Sequence, residues 1–482
     1  MALLFDTHVQ KMKYDVLREV AKLAYQDELT PQRLMDVSKV IIPDGKPNFR
    51  CCIYKERAII NERVAMALGG NKGNPNVVEV LPVACDECPV NGIEVTAACR
   101  GCLAHRCKDN CPKDAITIVN HHAVIDKEKC VECGKCVTVC PYSAIVKHTR
   151  PCINACKVKA INIEPISAKA VIDEGKCISC GACVYHCPFG AITDKSFITQ
   201  VISLIKGSQN NTDYHVYAVV APSMASQYQN VSPEQVVAGI KALGFHAVVE
   251  AAWGADMVAY LESEELVEKG FLTSSCCPAF VTYIKKNFPG LVDHISHNYS
   301  PMAQIAKWLH TTDPGCHVVF IGPCIAKKGE AMYTKASEYV DYAITFEEMQ
   351  ALFAARSIDV SALGKTELDN ASYFGRIFAR SGGLAAAVAQ ALKERGINED
   401  TFHLNAAVCN GITECNTALL KAQKGLLKEN FMEGMACEGG CIGGPACLIH
   451  SSKSVAQVDA YGRSSMEQTI GDAISVLRMN EK

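Results

Sequence analysis

The sequence predicts a cysteine-rich α+β front half followed by an α/β domain of two parallel-sheet lobes. Three observations predict this division. Of the 27 cysteines, eighteen lie at or before Cys187 and nine follow from Cys276 onward. One cysteine-containing unit of the front half occurs twice, which indicates an internal duplication. After the linker candidate given below, strand-like apolar runs alternate with helical patterns, as in parallel sheets whose sites lie at the strand carboxyl ends.

The composition is that of a globular chain with metal sites. The 482 residues are 49% hydrophobic and 21% charged, and the formal net charge of −3 argues against nucleic acid or an anionic membrane as a partner. Asp6 interrupts the apolar start before a signal-length core forms, and no apolar run of ~18 residues follows. We therefore expect a soluble, cytoplasmic protein. Because cytosolic thiols are kept reduced, its cysteines indicate metal ligands rather than disulfides.

Three segments follow from the shift in composition. They are an N-terminal helical segment at 1–80, a cysteine-rich segment at 81–200 and an α/β segment at 210–482, with a polar linker candidate at 206–212. In the α/β segment we predict strands at 214–221, 246–250 and 317–321, and helices at 233–243 and 255–269.

The N-terminal segment is assigned a packing or docking role only. Residues 13–70 are predicted to be helical, with one apolar face formed by Leu17, Val20, Ala21 and Ala24. The two adjacent cysteines, Cys51 and Cys52, would bind one cluster only with difficulty. We interpret them as structural cysteines.

The duplicated unit ends in a ferredoxin-type cysteine run. The pattern C-x2-C-x2-C-x3-C-P extends from Cys130 to Cys140 and again from Cys177 to Cys187, and an expanded run extends from Cys99 to Cys111. In bacterial ferredoxins three cysteines of such a run hold one 4Fe-4S cluster, and the fourth reaches a second cluster. Zinc also takes four thiolates. The repeated runs favour 4Fe-4S clusters, which conduct single electrons.

Exchange of the fourth cysteines predicts about four accessory 4Fe-4S clusters in ferredoxin-like domains. We number the ligand sets the first to fourth quartets: Cys99, Cys102, Cys107 and Cys140; Cys111, Cys130, Cys133 and Cys136; Cys156, Cys177, Cys180 and Cys183; and Cys85, Cys88, Cys152 and Cys187. In the fourth quartet, Cys187 and Cys152 need two further ligands, and the Cys85-x2-Cys88 pair is the available donor.

Three loops of the second half contain a different arrangement of cysteines. They lie at 273–280, 322–330 and 433–445, and together they contribute four thiolates for one further cubane: Cys277, Cys324, Cys437 and Cys441. In sequence and order these loops resemble the three signature motifs of the iron-iron hydrogenases, over about residues 214–450. Phe280, where the best-known enzymes have tryptophan, and a shorter glycine run after Ile442 indicate a divergent subgroup.

The resemblance implies an H-cluster and assigns a role to each neighbouring residue. The four thiolates would bind the cubane, and Cys441 would bridge to a two-iron subcluster carrying CO, CN and a bridging dithiolate. Cys276 would move the proton, since a thiol is a weak donor whose pKa shifts easily. The remaining assignments are cyanide contacts for Lys327 and Ser223, packing near the bridging carbonyl for Met435, and a proton relay through Glu262, Glu265 and Ser296.

Each of these residues also has a plainer interpretation. Glu262 and Glu265 share one helical face, which solvent could simply cover in this acidic segment. Lys327 could be a surface lysine, although the neighbouring Lys328 is available for that. The other interpretations are turn serines for Ser223 and Ser296, helix packing for Cys409 and Cys415, and unliganded thiols for Cys316 and Cys447.

By this resemblance the chain is an oxidoreductase that reversibly reduces protons to hydrogen under anaerobic conditions. Its expected partners are ferredoxin or a similar low-potential carrier and the hydrogenase maturation proteins, with no nucleic acid and no membrane. One alternative is a non-catalytic cytosolic iron-sulfur assembly factor of the same fold, which lacks the thiol of Cys276. Another is a hydrogen sensor, which normally needs a signalling domain. The third is an electron carrier, which leaves Lys327 and Met435 without purpose.

Overall fold

The computed structural model describes residues 5–43, 45–89, 92–228, 230–397 and 400–477. Most of the apolar N-terminal start, which is predicted not to be a signal sequence, lies outside the described residues. The N-terminal segment forms three helices: α1 (His8–Tyr25), α2 (Pro31–Ile41) and α3 (Ile53–Ala67). Thr7 and Thr30 cap α1 and α2, each accepting a hydrogen bond from a backbone N–H of the first turn. The predicted apolar face of α1 is buried.

The cysteine-rich segment consists of short strands and helices. They are β1 (Val78–Val80), β2 (Gly92–Val95), α4 (Arg106–Asp109), β3 (Ile116–Val119), β4 (His122–Ile125), α5 (Lys135–Val139), β5 (Ile145–His148), α6 (Pro151–Ala155), β6 (Ile161–Ile163), β7 (Ala170–Ile172), α7 (Ala182–His186) and β8 (Ile192–Asp194). The α+β character predicted for this half is confirmed.

Strand pairing shows that one iron-sulfur unit is inserted into another. β2 pairs with β5 and β3 with β4, all antiparallel, which closes an inner unit over 92–148. β1 pairs with the distant β8, and β6 with β7, so an outer unit is formed by chain on both sides of the insertion. The insertion separates Cys88 from Cys152 in the sequence, whereas the outer unit brings the chain around them together.

The remainder of the chain forms the α/β domain. Its helices and strands are α8 (Ile198–Gly207), β9 (Val216–Val220), α9 (Pro233–Ala242), β10 (Ala247–Glu250), α10 (Ala251–Lys269), β11 (Leu272–Thr273), α11 (Pro278–Asn287), α12 (Pro301–Thr312), β12 (His317–Gly322), α13 (Ala326–Tyr333), β13 (Tyr342–Thr345), α14 (Phe346–Ala355), α15 (Tyr373–Ile377), α16 (Gly383–Glu394), β14 (Ala406–Asn410), α17 (Ile412–Gln423), β15 (Phe431–Met435), α18 (Ser454–Arg463) and α19 (Ile470–Ser475). The predicted strands correspond to β9, β10 and β12, and the predicted helices to α9 and most of α10.

Two parallel sheets organise this domain. One has the order β10-β9-β12-β13 and the other the order β11-β15-β14. Central strands such as β12 are buried almost throughout, as expected for parallel strands covered on both faces. The predicted architecture of two parallel-sheet lobes is therefore confirmed. Within the described residues, no helix is long and apolar enough to cross a membrane.

The N-terminal helices share the core of the α/β domain. α1 packs on α3, α8 and α14, and its buried side chains join the same hydrophobic core as the strands of the larger sheet. The predicted linker at 206–212 begins inside α8, since Lys206 and Gly207 form the end of that helix. A polar turn that starts at Ser208 then leads into β9.

A buried ion-pair network ties the three segments together. Lys13 of α1 pairs with Asp194 and Glu347, with Nζ–O distances of 2.5 Å in both cases. Lys328 of α13 pairs with the other oxygen of Asp194 at 2.7 Å and with Glu348 at 2.8 Å. The Lys328, Asp194 and Glu348 side chains are inaccessible to solvent. The expectation that Lys328 is available as a surface lysine is therefore wrong.

Candidate active site

Four thiols of the α/β domain converge at the carboxyl ends of parallel strands. Cys277 precedes α11, Cys324 follows β12, and Cys437 and Cys441 follow β15. Burial raises the pKa of Cys324, and the nearby Cys277 and Cys441 thiolates raise it further. Burial also raises the pKa of Cys437, and the other three thiolates of the set raise it further. A set of four thiolates is the donor set that a 4Fe-4S cubane requires.

The structure also gathers each accessory quartet. The cysteines of the first quartet line one small cavity, and those of the second quartet line another. In the fourth quartet, burial raises the pKa of Cys152 to about 11, and the Cys187, Cys88 and Cys85 thiolates contribute to that rise. Cys183 is similarly surrounded by the other members of the third quartet. All sixteen predicted accessory ligands thus occupy sets of four.

The third quartet lies beside the four thiols of the α/β domain. Cys180 is close enough for its charge to act on Cys437, and the charge of Cys277 acts on Cys180. Gly181, at φ +78°, allows this approach, because a Cβ there would lie 2.5 Å from Ile325 Cδ1 and 2.8 Å from Pro445 Cγ. On its other side, the third quartet meets the fourth through Cys183 and Cys152. The two quartets therefore form a path towards the α/β site.

Cys276 is a partly buried thiol next to a buried acid. Burial raises its pKa well above the ordinary value, and the charge of Glu262 raises it further. Glu262 of α10 is fully buried, and its Oε1 accepts hydrogen bonds from the backbone N–H and the hydroxyl of Ser275, both at 3.1 Å. Burial raises the pKa of Glu262 to about 7. This acid can therefore both accept and donate a proton near neutral pH.

A second acid continues from Glu262 towards solvent. Ser296, which neighbours Glu262, donates its hydroxyl to Glu265 Oε2 at 2.9 Å. Glu265 also accepts a hydrogen bond from Asn298 Nδ2 at 3.0 Å and pairs with Lys269 at 2.7 Å. Ser296 and Asn298 line an open cleft. The predicted relay residues therefore lie in one line from a buried thiol to the surface.

Three polar or sulfur-containing residues surround the site from other loops. Lys327 is buried, and its Nζ donates to Ser300 Oγ at 2.8 Å and to Glu330 Oε2 at 2.6 Å. Ser223 is also fully buried, and its hydroxyl has no hydrogen-bond partner among the described residues. Met435, at the end of β15, is buried as well. Lys327 Nζ also donates to Cys276 O at 3.3 Å, so it lies beside Cys276, while the hydroxyl of Ser223 is left for a polar group.

Comparison with known proteins supports the resemblance to the iron-iron hydrogenases. Residues 214–445 match the model of the iron only hydrogenase large subunit, C-terminal domain, and residues 123–146 and 170–193 match that of the 4Fe-4S binding domain. These matches support a divergent iron-iron hydrogenase-like protein. The chain is 27% identical over 404 residues to iron hydrogenase 1 of Clostridium pasteurianum, covering 72% of this chain and 69% of that relative.

Further similarities agree with this assignment. The chain is 25% identical over 386 residues to the periplasmic Fe hydrogenase large subunit of Nitratidesulfovibrio vulgaris, covering 67% of this chain and 86% of the relative. A solved FeFe-hydrogenase structure, in which oxygen inactivation of the H cluster was studied, is similar to this chain with a TM-score of 0.50 and 20% identity. The match covers 60% of this chain and 94% of that one. That structure supports the fold. A shorter stretch of 102 residues is 36% identical to a cytosolic Fe-S cluster assembly factor of Kluyveromyces lactis, covering 21% of this chain and 22% of that factor.

The residues of this hydrogenase-like chain fit the group that the family implies. The unpaired hydroxyl of Ser223 and the buried Nζ of Lys327 suit acceptor ligands such as cyanide. The plainer interpretations of two residues are wrong, because Glu262 is not solvated and Lys327 is not on the surface. Cys415 packs in a helix as expected, whereas Cys409 lies in β14.

Several residues of the hydrogenase-like site were not predicted from the sequence. Ser275 binds Glu262, Ser300 and Glu330 bind Lys327, and Asn298 and Lys269 bind Glu265. Lys269 follows Glu265 by four residues, a spacing that favours an ion pair on a helix, so its role could have been found. Ser275 and Ser300 lie beside predicted positions but give no signal of their own.

Proposed function

We propose that this chain catalyses the reversible reduction of two protons by two electrons to molecular hydrogen. The observation that carries this proposal is that the partly buried thiol of Cys276 lies between the four converging thiols and the acidic side chains that lead towards the surface. An electron carrier needs the metal site but has no use for a proton path to it. The meeting of the two paths therefore favours catalysis.

Four thiolates and three further residues would hold the cofactor. Cys277, Cys324, Cys437 and Cys441 would bind the cubane, with Cys441 also joined to the two-iron subcluster. Ser223 and Lys327, both buried, would donate hydrogen bonds to its cyanide ligands, and the buried Met435 would pack against it. When bound, this cofactor supplies the metal centre at which protons and electrons combine.

The relay moves protons in single steps between neighbouring groups. Cys276 gives its proton to the site and is reprotonated through Glu262, whose pKa of about 7 suits exchange in both directions. Ser296 passes the proton between the two acids, and Glu265 exchanges it with solvent in the cleft that its neighbours Ser296 and Asn298 line. The same groups act in reverse order when hydrogen is consumed.

Electrons would reach the site through the accessory 4Fe-4S clusters. The third quartet, next to Cys277 and Cys437, would be the last of them. Ferredoxin-type clusters have potentials near ~−400 mV, which suits a low-potential carrier such as ferredoxin as the partner. The two-iron subcluster would be installed by hydrogenase maturation proteins, and we place the enzyme in the cytoplasm.

Infrared spectroscopy of anaerobically matured protein tests this proposal. Metal-bound carbonyl and cyanide absorb where polypeptide is nearly silent, so we expect sharp bands that shift under hydrogen, together with hydrogen evolution from a reduced one-electron dye. The matched control is the Cys276→Ser variant, which should keep the bands and lose turnover. A wild-type protein that has iron-sulfur absorbance but no such bands would instead be an electron carrier or an assembly factor. Bands that persist with negligible turnover would indicate a sensor.

A further inference from the structure

Two buried guanidinium groups lie against the fourth quartet. Arg150 is 3% exposed, and its Nη1 lies 4.0 Å from Cys85 Sγ while its Nε donates to Pro89 O at 3.2 Å. Arg63 of α3 is 6% exposed, and its Nη2 donates to Gly190 O at 2.7 Å. Arg63 lies close enough to Cys187 for an electrostatic interaction with its thiolate, and Arg150 lies close enough to Cys88 for the same interaction.

The chain around this site is shaped for a guanidinium group. Gly190 follows Cys187 and has a φ of +56°. A Cβ at Gly190 would lie 2.3 Å from Arg63 Nη2, so a larger residue would displace the arginine. The Arg63 side chain reaches this turn from α3, which is distant from it in the sequence. The arginine thus occupies a fitted position and is not a side chain that merely folds back from the surface.

The charge of Arg63 needs a partner that the described side chains do not supply. A third arginine, Arg50, has Nη1 3.2 Å from Asp86 and 3.0 Å from Glu87, so its charge is balanced. Arg63 has no carboxylate within ion-pair distance in the described part of the chain, and its Nε has no hydrogen-bond partner there. Burying a cation is costly unless an opposite charge compensates it. The thiolates of the fourth quartet, with a bound cluster, supply that charge.

The other quartets have different surroundings. The charged neighbours that act most strongly on Cys107 of the first quartet and Cys136 of the second are thiolates. Near the third quartet, Lys286 donates to the backbone oxygen of Cys177, but this lysine is exposed and its charge is screened by water. Buried positive charge is therefore concentrated at the fourth quartet.

We propose that Arg63 and Arg150 give the fourth cluster the highest reduction potential of the accessory clusters, so that it stores an electron. This inference rests on the proposed function for its 4Fe-4S cluster and its electron source. The cluster takes one electron from a low-potential one-electron carrier, and no proton or bond is exchanged. The added negative charge is stabilised by the two guanidinium groups in a medium of low dielectric constant. A stored electron lets the next single delivery complete the pair that hydrogen formation consumes.

Redox titration monitored by electron paramagnetic resonance tests this proposal on the full-length, cluster-reconstituted protein without the two-iron subcluster. The signal lost in the Cys88→Ser variant, along with about four irons per chain, identifies the fourth cluster. In the wild-type protein this signal should appear first as the potential is lowered. Arg63→Gln should reduce the ratio of reduced to oxidised fourth cluster about tenfold at a fixed potential, a shift of ~59 mV for one electron.

Three further variants distinguish charge from packing. Arg63→Lys keeps the charge and should restore the signal to near its wild-type potential. Arg106→Gln removes an exposed arginine beside Cys107 of the first quartet and should leave every signal in place. If Arg63→Gln does not fold, Arg150→Gln makes the same test from the other side of the quartet.

The outcomes separate this proposal from the proposed function. A fourth-cluster signal that is unmoved by both glutamine variants, or moved equally by Arg63→Lys, would overturn the proposal, as would a wild-type protein in which another accessory cluster is reduced first. Hydrogen evolution by the matured wild-type protein is measured separately. A selective shift in a protein that makes no hydrogen supports the electrostatic role and contradicts only the catalytic one.

Discussion

Glu262 is an acid in surroundings that ordinarily exclude one. Its side chain is inaccessible to solvent, Oε1 accepts two hydrogen bonds from Ser275, and Oε2 has no partner among the described residues. Burial without a cation raises its pKa to about 7. On the same helix, Glu264 is 55% exposed and pairs with Arg395 at 3.0 Å. Two carboxylates two residues apart thus differ in environment, and only one suits proton transfer.

This contrast predicts the effect of removing each acid. Glu262→Gln should lower hydrogen turnover by about 10²- to 10⁴-fold, because an amide cannot relay the proton from Cys276. The infrared bands of the cofactor should remain, since Glu262 is not a ligand. Glu264→Gln is the matched control and should retain wild-type turnover. Equal losses in the two variants would contradict the relay.

Ser223 predicts a spectroscopic effect without a cost in stability. Its buried hydroxyl has no partner among the described residues, so Ser223→Ala should leave the urea midpoint unchanged or raise the free energy of unfolding by up to ~1 kcal/mol. In matured protein the cyanide bands should shift, because one hydrogen-bond donor is lost. Ser226→Ala removes a hydroxyl that donates to Ser223 O at 3.0 Å and should leave those bands in place. Unshifted bands in Ser223→Ala would exclude the cyanide contact.

The burial of Asp256 predicts that the stability of the protein depends on pH. Burial raises the pKa of this carboxyl from its ordinary 3.8 to about 8, and both its oxygens bond Ser372. Between these values the unfolded chain has released the proton that the folded chain retains. The folded state therefore loses stability as pH rises from about 4 to about 8 and changes no further above that. Asp256→Asn should flatten this part of the pH profile of the urea midpoint, and an unchanged slope would refute the assignment.

At the scale of elements, α11 connects two metal sites. The helix begins beside Cys277, a proposed ligand of the cubane, and near its end Lys286 donates to Glu174 O at 2.8 Å and Cys177 O at 2.7 Å. One helix therefore contacts the loops of both the third quartet and the four thiols of the α/β domain. This arrangement fixes the two sites relative to one another, which electron transfer between them requires.

Lys286 predicts a small, salt-dependent effect on the third cluster. Its charge favours the reduced state, so Lys286→Gln should shift the third-cluster signal to a more negative potential. At low salt and a fixed potential, the ratio of reduced to oxidised third cluster should fall about threefold. Because the lysine is exposed, the shift should shrink at high ionic strength. Lys285→Gln, one residue earlier and also exposed, makes the same charge change without the contact. A shift in that control equal to that of Lys286→Gln would indicate a general charge effect.

At the scale of the whole molecule, the buried network around Asp194 connects the N-terminal helix, the outer iron-sulfur unit and the α/β domain. Lys13 and Lys328 hold the pKa of Asp194 below its ordinary value against the opposing effect of burial. A carboxylate with a lowered pKa contributes stability above its unfolded pKa of 3.8, and that contribution is lost as pH falls below it. One ionised side chain therefore joins the three segments.

Asp194→Asn should lower the free energy of unfolding by about 3 to 5 kcal/mol, because two buried lysines lose their common partner. Urea unfolding of anaerobic protein measures this effect. Asp36→Asn, which breaks an exposed pair with Lys39, should leave the midpoint in place. A midpoint equal to that of the wild-type protein would show that the network does not stabilise the assembly of the segments.

The sequence alone determined those features whose signals lie within a few neighbouring residues. The cysteine runs predicted ferredoxin-like units, and the alternation of apolar patterns predicted β9, β10, β12 and the helices between them. The three loops around Cys277, Cys324 and Cys437 predicted the family. Such patterns are readable because side-chain periodicity and ligand spacing are local properties of the chain.

Only the tertiary structure decided which distant residues meet. It buried Lys328 and left the hydroxyl of Ser223 without a hydrogen-bond partner among the described residues. It also brought Arg63 to the turn at Gly190. The physical reason is that burial and charge compensation depend on the packing of segments far apart in sequence, for which a single sequence contains no local signal.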